Sequence, residues 1–146
     1  MNNETNKKII IRTRGIIVHN GKMLVVRHAP DGIYFALPGG HLEWGETVLD
    51  SIKREITEEL GITPEIGRLL YINNFVNADF VQSVEFFFEI TNSGDYYKTK
   101  NFSGTHNHEL AEICWVDKGD IREVVPPEIM TDLNNNTLLS DTIRYI

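Results

Sequence analysis

Apolar residues in the first third of the chain fall in short runs rich in β-branched side chains, bounded by turn residues. Ile9 to His19 (IIIRTRGIIVH) and Lys22 to Arg27 (KMLVVR) have this character, and Asn20-Gly21 separates them. Asn-Gly between two such runs is a strong short hairpin signal, so the two strands are expected to pair. Ala29 to Gly32 (APDG) reads as a turn, and Tyr34 to Leu37 as a short strand that feeds the glycines of Pro38-Gly39-Gly40.

The period then changes. Between residues 47 and 60, Leu49, Ile52, Ile56 and Leu60 fall on one helical stripe that should face a core. Thr47 followed by Asp50 gives a capping-box-like start, and Gly61 a left-handed stop. Beyond it, Glu65 to Val76 and Val81 to Ile90 read as two long strands joined around Asn77-Ala78-Asp79. Thr91 to Asp95 turns the chain, and the polar stretch Tyr96 to Thr105 reads as a mobile loop. Leu110 to Asp117 is a further strand, Asp120 is expected to cap a short helical stretch, and Pro127 to Asn136 suits a second helix with proline in its first turn. Ile143 to Ile146 adds a last β segment. Helices flanking a mixed sheet make the fold class α/β.

Composition narrows the possibilities. At 146 residues the chain is read as one domain, long enough to bury a sizeable core. A net charge of −7 leaves no basic stripe for phosphates, which argues against sequence-independent nucleic-acid binding. One cysteine, Cys114, excludes an internal disulfide, and its place in an apolar run suits a packed thiol. No apolar run approaches ~18 residues and Met1 to Lys8 has no apolar signal core, so no membrane partner and a cytoplasmic location are expected.

The chemistry is carried by the polar face of the predicted helix. Glu55, Glu58 and Glu59 stand at i, i+3 and i+4, and each like-charged pair costs a helix roughly 0.2–0.5 kcal/mol. Arg54, four residues before Glu58, offsets only part of that repulsion. Clustered carboxylates suit a hard cation such as Mg²⁺ or Mn²⁺ better than zinc. Two glycines ahead of the helix let backbone carbonyls approach a ligand, so the turn, Glu46 and the acidic helix converge on one place.

Gly40, five residues, Glu46, seven residues, Arg54-Glu55-Ile56, one residue, Glu58-Glu59, one residue, Gly61-Ile62 resembles the signature of the Nudix hydrolase superfamily at every position. The resemblance implies an α/β/α sandwich and a metal-dependent pyrophosphohydrolase. Its substrate would be a small-molecule nucleotide, a nucleoside diphosphate linked to a group X. On these positions, Glu58, Glu59 and the Gly39 carbonyl would bind Mg²⁺ or Mn²⁺. Glu55 would be ligand or general base, making Glu55, Glu58 and Glu59 the catalytic set, and Glu46 and Arg54 would brace the loop against the helix. Members of the superfamily often add a carboxylate from outside the signature; Glu109 is favoured over Glu112 and Glu85. Trp44 is a candidate for stacking a base, with packing against the sheet as its alternative, and Arg27 is a candidate substrate contact. His106 and His108 read as an exposed loop rather than a metal site, two ligands being too few.

Substrate identity is less legible. No proline lies between Pro64 and Pro126, so the downstream proline of many ADP-ribose hydrolases is missing, and Asp79-Phe80 stands where dinucleoside polyphosphate hydrolases carry tyrosine. Nucleoside triphosphates, oxidised ones included, and nucleotide sugars are the leading candidates. The alternative from another class is a catalytically silent nucleotide sensor. A homodimer is expected of so small a domain in this family.

Overall fold

The structure is a computed structural model that describes residues 7–77 and 81–146. Residues 78 and 79 of the expected turn, Phe80, and most of the stretch read for a signal peptide lie outside the described residues. In chain order the elements are β1 (Lys8–Ile16), β2 (Val18–His19), β3 (Lys22–His28), β4 (Phe35–Ala36), β5 (Gly39–His41), α1 (Val48–Leu60), β6 (Ile66–Val76), β7 (Val81–Ile90), α2 (Ser93–Tyr97), β8 (Leu110–Val116), β9 (Val124–Val125), α3 (Pro127–Asn134) and β10 (Arg144–Tyr145).

Two mixed sheets form rather than one. Sheet A has the order β10-β6-β7-β1-β5, and sheet B runs β2-β3-β4-β9 with β8 also paired to β3. The first apolar run therefore divides. Its short end pairs across Asn20-Gly21, Val18 opposite Met23, as the hairpin signal requires. Its long part leaves for sheet A, where β1 runs parallel to β7 and antiparallel to β5. Ile17 makes the crossing between sheets. Fully buried, it accepts the Leu24 N–H at 2.9 Å, so its backbone carbonyl is satisfied without a sheet partner.

Both faces of sheet A are covered. On one side Ile16, Tyr71 and Phe87 join Met23 and Val25 of sheet B and Ile129 and Leu133 of α3. On the other, Phe88 and Ile90 join Ile52, Ile56 and Leu60 of α1. Consecutive residues of β3 serve opposite sides, which explains why Met23 to Val26 are all apolar instead of alternating. No helix among the described residues is long and apolar enough to cross a membrane.

Two expectations need correction. Tyr96 to Thr105 begins inside α2, with Tyr96 fully buried and its hydroxyl donating to the Ile62 carbonyl at 2.9 Å. The same stretch brings Gly104 against the last turn of α1. Asp120 caps no helix; its carboxylate takes the Arg122 N–H at 2.9 Å in a turn before β9.

The C-terminal strand is tied down by one arginine. Arg144 donates to Asp132 and to the Thr137 carbonyl, each at 2.7 Å, and lies 3.9 Å from the centre of the Tyr71 ring. The Tyr71 hydroxyl donates to the same Asp132 carboxylate at 2.6 Å. Arg144→Ala is expected to lower stability by about 1–3 kcal/mol, because it strips a charge-assisted partner from a half-buried carboxylate. A denaturant titration checks this, and an unchanged midpoint would remove Arg144 from the account of how α3 is held.

Candidate active site

The acidic helix begins and ends where its capping residues place it. Thr47 accepts the Asp50 N–H and Asp50 accepts the Thr47 N–H, each at 3.1 Å, while Gly61 adopts φ 77°. Its buried face differs from the apolar stripe alone. Ile52, Ile56 and Leu60 are buried, but Leu49 is half exposed and Ser51 and Glu59 are buried in its stead. At about 100° per residue, Glu59, Val48 and Glu55 lie next to Ile52, so the contact face is turned toward the glutamates. The Ser51 and Thr13 hydroxyls share a hydrogen bond of 3.1 Å across that interface.

Arg54 is the hub. It donates through Nε and Nη2 to both oxygens of Glu46, through Nη2 to the His41 carbonyl at 3.0 Å, and through Nη1 to Glu55 at 2.9 Å and Glu58 at 3.2 Å. Glu46 also accepts the Glu43 N–H at 2.9 Å, closing the loop on itself. Glu59 accepts the Gly39 N–H at 3.1 Å and stands 3.5 Å from His28 Nε2. The Glu55 carboxylate lies directly on Gly40, where an added Cβ would sit 2.4 Å from it. Burial raises the proton affinity of Glu55; the Arg54 hydrogen bond and charge oppose that, and the charges of Glu59 and Glu58 add to it.

Among the described residues no three His, Cys, Asp or Glu side chains are gathered in ligating geometry. The contacts above give the reason: Arg54 holds Glu55 and Glu58, and the β5 backbone holds Glu59. The donor set nevertheless fits a hard divalent ion in kind, since it consists of carboxylates with a positive charge already drawn between two of them.

The remaining predicted residues are dispersed. Glu109 is exposed in a 3₁₀ turn (Asn107–Glu109), its carbonyl accepting the Ala29 N–H at 2.8 Å. Glu112 is exposed on β8, 3.5 Å from Arg27, which also donates to the Gly32 carbonyl at 3.1 Å. Glu85 is buried, accepting from Arg14 at 3.0 Å and Asn73 at 3.1 Å. Trp44 is fully exposed beside Ile9, Ile11 and Leu42 and does not pack on the sheet.

Several residues escaped the sequence reading. The His106 backbone N–H donates to the Glu58 carbonyl at 2.7 Å, and Nδ1 lies 3.0 Å from the Glu58 carboxylate. Arg12 and Arg14 line a cleft of about 530 Å³ with Asn73, Phe75, Pro126 and others, on the face of sheet A away from α1. Arg14 Nη1 also reaches the carbonyls of Leu37 at 3.3 Å and Gly39 at 3.4 Å. Two arginines at i and i+2 inside an apolar strand were the available signal, since alternation sends both to one face.

Residues 10–134 match the family described as NUDIX domain. An ADP-ribose pyrophosphatase of Methanocaldococcus jannaschii is 34% identical over 102 residues, covering 64% of this chain and 60% of its own length. The nucleoside triphosphatase NudI of Enterobacter sp. (strain 638) is 28% identical over 141 residues, covering 87% of this chain and 90% of its own. Among solved structures, the MutT protein of Methanosarcina mazei Go1 superimposes with a TM-score of 0.69 at 22% identity, over 90% of this chain and 94% of that one.

Proposed function

Because this chain belongs to the NUDIX domain family, we propose that it is a metal-dependent pyrophosphohydrolase, cleaving a nucleoside diphosphate linked to X by water attack on phosphorus. The observation that carries this reading is the packing of Glu55 and Glu59 against the Gly39–Gly40 strand, with Arg54 holding Glu55 and Glu58 beside it. Glu55, Glu58, Glu59 and the Gly39 carbonyl would hold Mg²⁺ or Mn²⁺. When bound, such an ion supplies Lewis-acid charge to the phosphates and acidifies a water.

The chain's own residues do the rest. Glu55, partly desolvated and raised in proton affinity, suits a general base working near neutral pH. Arg54 fixes its carboxylate and, through Glu46 and the His41 carbonyl, the loop beside it. Trp44 offers an exposed ring for a base, Arg27 on β3 is a further substrate contact, and Glu109, in the 3₁₀ turn before β8, is an additional metal ligand or base. Nucleoside triphosphates, oxidised ones included, are the favoured substrates, since a relative matched over 87% of this chain and 90% of its own length is named a nucleoside triphosphatase. Nucleotide sugars remain the other leading candidates. ADP-ribose is the second reading, supported by the name of the 34% identical relative.

Product analysis with nucleoside triphosphates, oxidised deoxynucleotides, ADP-ribose and nucleotide sugars, with and without Mg²⁺ or Mn²⁺, tests this. Metal-dependent release of a nucleotide from one class is the expected result. Nucleotide binding without products from folded, metal-loaded protein would favour a silent sensor. Glu58→Gln is expected to raise the Mg²⁺ concentration for half-maximal turnover at least about tenfold. It should leave the thermal midpoint nearly unchanged, since relief of like-charge repulsion offsets the weakened Arg54 and His106 contacts. A variant with unaltered Mg²⁺ dependence would take Glu58 out of the ligand set.

A further inference from the structure

The cleft on the α3 side of sheet A contains a guanidinium that no carboxylate of the described residues pairs. Arg12 and Arg14 project to the same side of β1, and only Arg14 is neutralised, by Glu85 at 3.0 Å. Arg12 donates through Nη1 to the Ser83 hydroxyl, and no carboxylate of the described residues lies within ion-pair distance of it. Burial and the adjacent Arg14 both press on the Arg12 charge, and Glu85 offsets them only in part. The same two arginines, after burial, depress the proton affinity of His41, so the positive field extends across β1 to β5. The walls of the cleft combine apolar Ala36, Phe75, Phe87 and Pro126 with the carboxylates of Glu85 and Glu128, neither of which forms an ion pair with Arg12. A partly buried guanidinium with no carboxylate in ion-pair contact carries a desolvation cost.

A phosphate would remove that cost. The guanidinium of Arg12 has four N–H groups beyond the one given to Ser83, in the fork geometry that matches phosphoryl oxygens. The cleft and the glutamate site lie on opposite faces of the edge strand β5 and meet at Gly39, whose carbonyl lies 3.4 Å from Arg14 Nη1 while its N–H donates to Glu59. A polyphosphate reacting at the glutamates could therefore extend past Arg14 to Arg12. We propose that Arg12 is a specificity-determining residue that grips a phosphoryl oxygen of the substrate, favouring nucleoside triphosphates over nucleotide sugars, whose far end is uncharged. This rests on the hydrolase reading for its turnover, though not for its binding.

The test uses inorganic tripolyphosphate titrated calorimetrically into the full chain in EDTA, and separately the ratio of kcat/KM for a nucleoside triphosphate over a nucleotide sugar. Arg12→Gln is expected to weaken tripolyphosphate binding and to lower the ratio, each by about tenfold or more, and Arg12→Lys to recover part of the binding. If Arg12→Gln fails to fold, Arg12→Lys is compared with the unmodified chain, and a loss of at least a few-fold in both readouts is expected from the missing fork. Tripolyphosphate binding that is absent from the unmodified chain, or unchanged in the variants, overturns the proposal; so does an unchanged ratio. Loss of binding in the variants of a chain that turns over no nucleotide would uphold the anion site and sink the hydrolase reading. Turnover with unchanged binding would do the reverse.

Discussion

Glu55→Gln is expected to lower turnover by about 10²–10⁴-fold while leaving the protein folded. Glutamine keeps the shape that rests on Gly40 and an oxygen to accept from Arg54, so neither contact needs to break. What it removes is the ability to take a proton or to place a full negative charge beside a cation. Stability should respond in the opposite sense to activity. Burial raises the Glu55 carboxyl above its ordinary 4.5, so the folded chain binds that proton more tightly than the unfolded one. Stability is then lost as pH rises from 4.5 to the raised value, and the loss is complete above it. The glutamine variant escapes that loss. Its thermal midpoint should match or exceed the unmodified protein at neutral pH, with the difference vanishing below the ordinary carboxylate range. Turnover of the unmodified protein should fall as acidification protonates Glu55. Rate and midpoint measured together across pH check both halves, and a folded variant with full turnover would end the role assigned to Glu55.

Gly39→Ala should do the opposite, weakening the fold itself. Gly39 has φ 146°, and a Cβ there would stand 1.9 Å from the Thr13 carbonyl oxygen. That oxygen is backbone, in the part of β1 that pairs with β5, and it cannot withdraw without unzipping the strand that carries the site. A loss of about 3 kcal/mol or more is expected, a large part of the stability of an ordinary domain. Gly40→Ala is the instructive contrast. Its Cβ would meet the Glu55 carboxylate, the end of a side chain that can swing aside. Its cost should therefore fall on turnover more than on the thermal midpoint. Chemical denaturation of the pair separates the cases, and equal midpoints for the two variants would contradict the backbone described around Gly39.

What the sequence disclosed was whatever neighbouring residues decide among themselves. The limits of α1 follow from Thr47, Asp50 and Gly61, and Asn20-Gly21 closes its hairpin, because those groups satisfy each other within a few residues. The α/β class was readable for the same reason. The division of the first strand between two sheets was not, since it depends on β7 and β5 arriving from elsewhere in the chain. Glu59 shows the limit at the site itself: as an acid it belongs on a polar face, yet it is buried because a Gly39 N–H left free by the end of the β-ladder waits for it. Likewise His106 was set aside for want of metal-binding neighbours, while its true partner, Glu58, is 48 residues distant in sequence.

The glutamates approach β5 from the α1 side of sheet A, whereas Arg12, Asn73 and Phe75 line the cleft on its other side. Mutational drift on one face need not trespass on the other. A library randomised at Asn73, Phe75, Val125 and Glu128 would leave every residue of the acidic cluster and its arginine hub as inherited. Such a scaffold can exchange the molecules it recognises by small steps, each intermediate still equipped to react, and that is a structural route by which one lineage diversifies its diet.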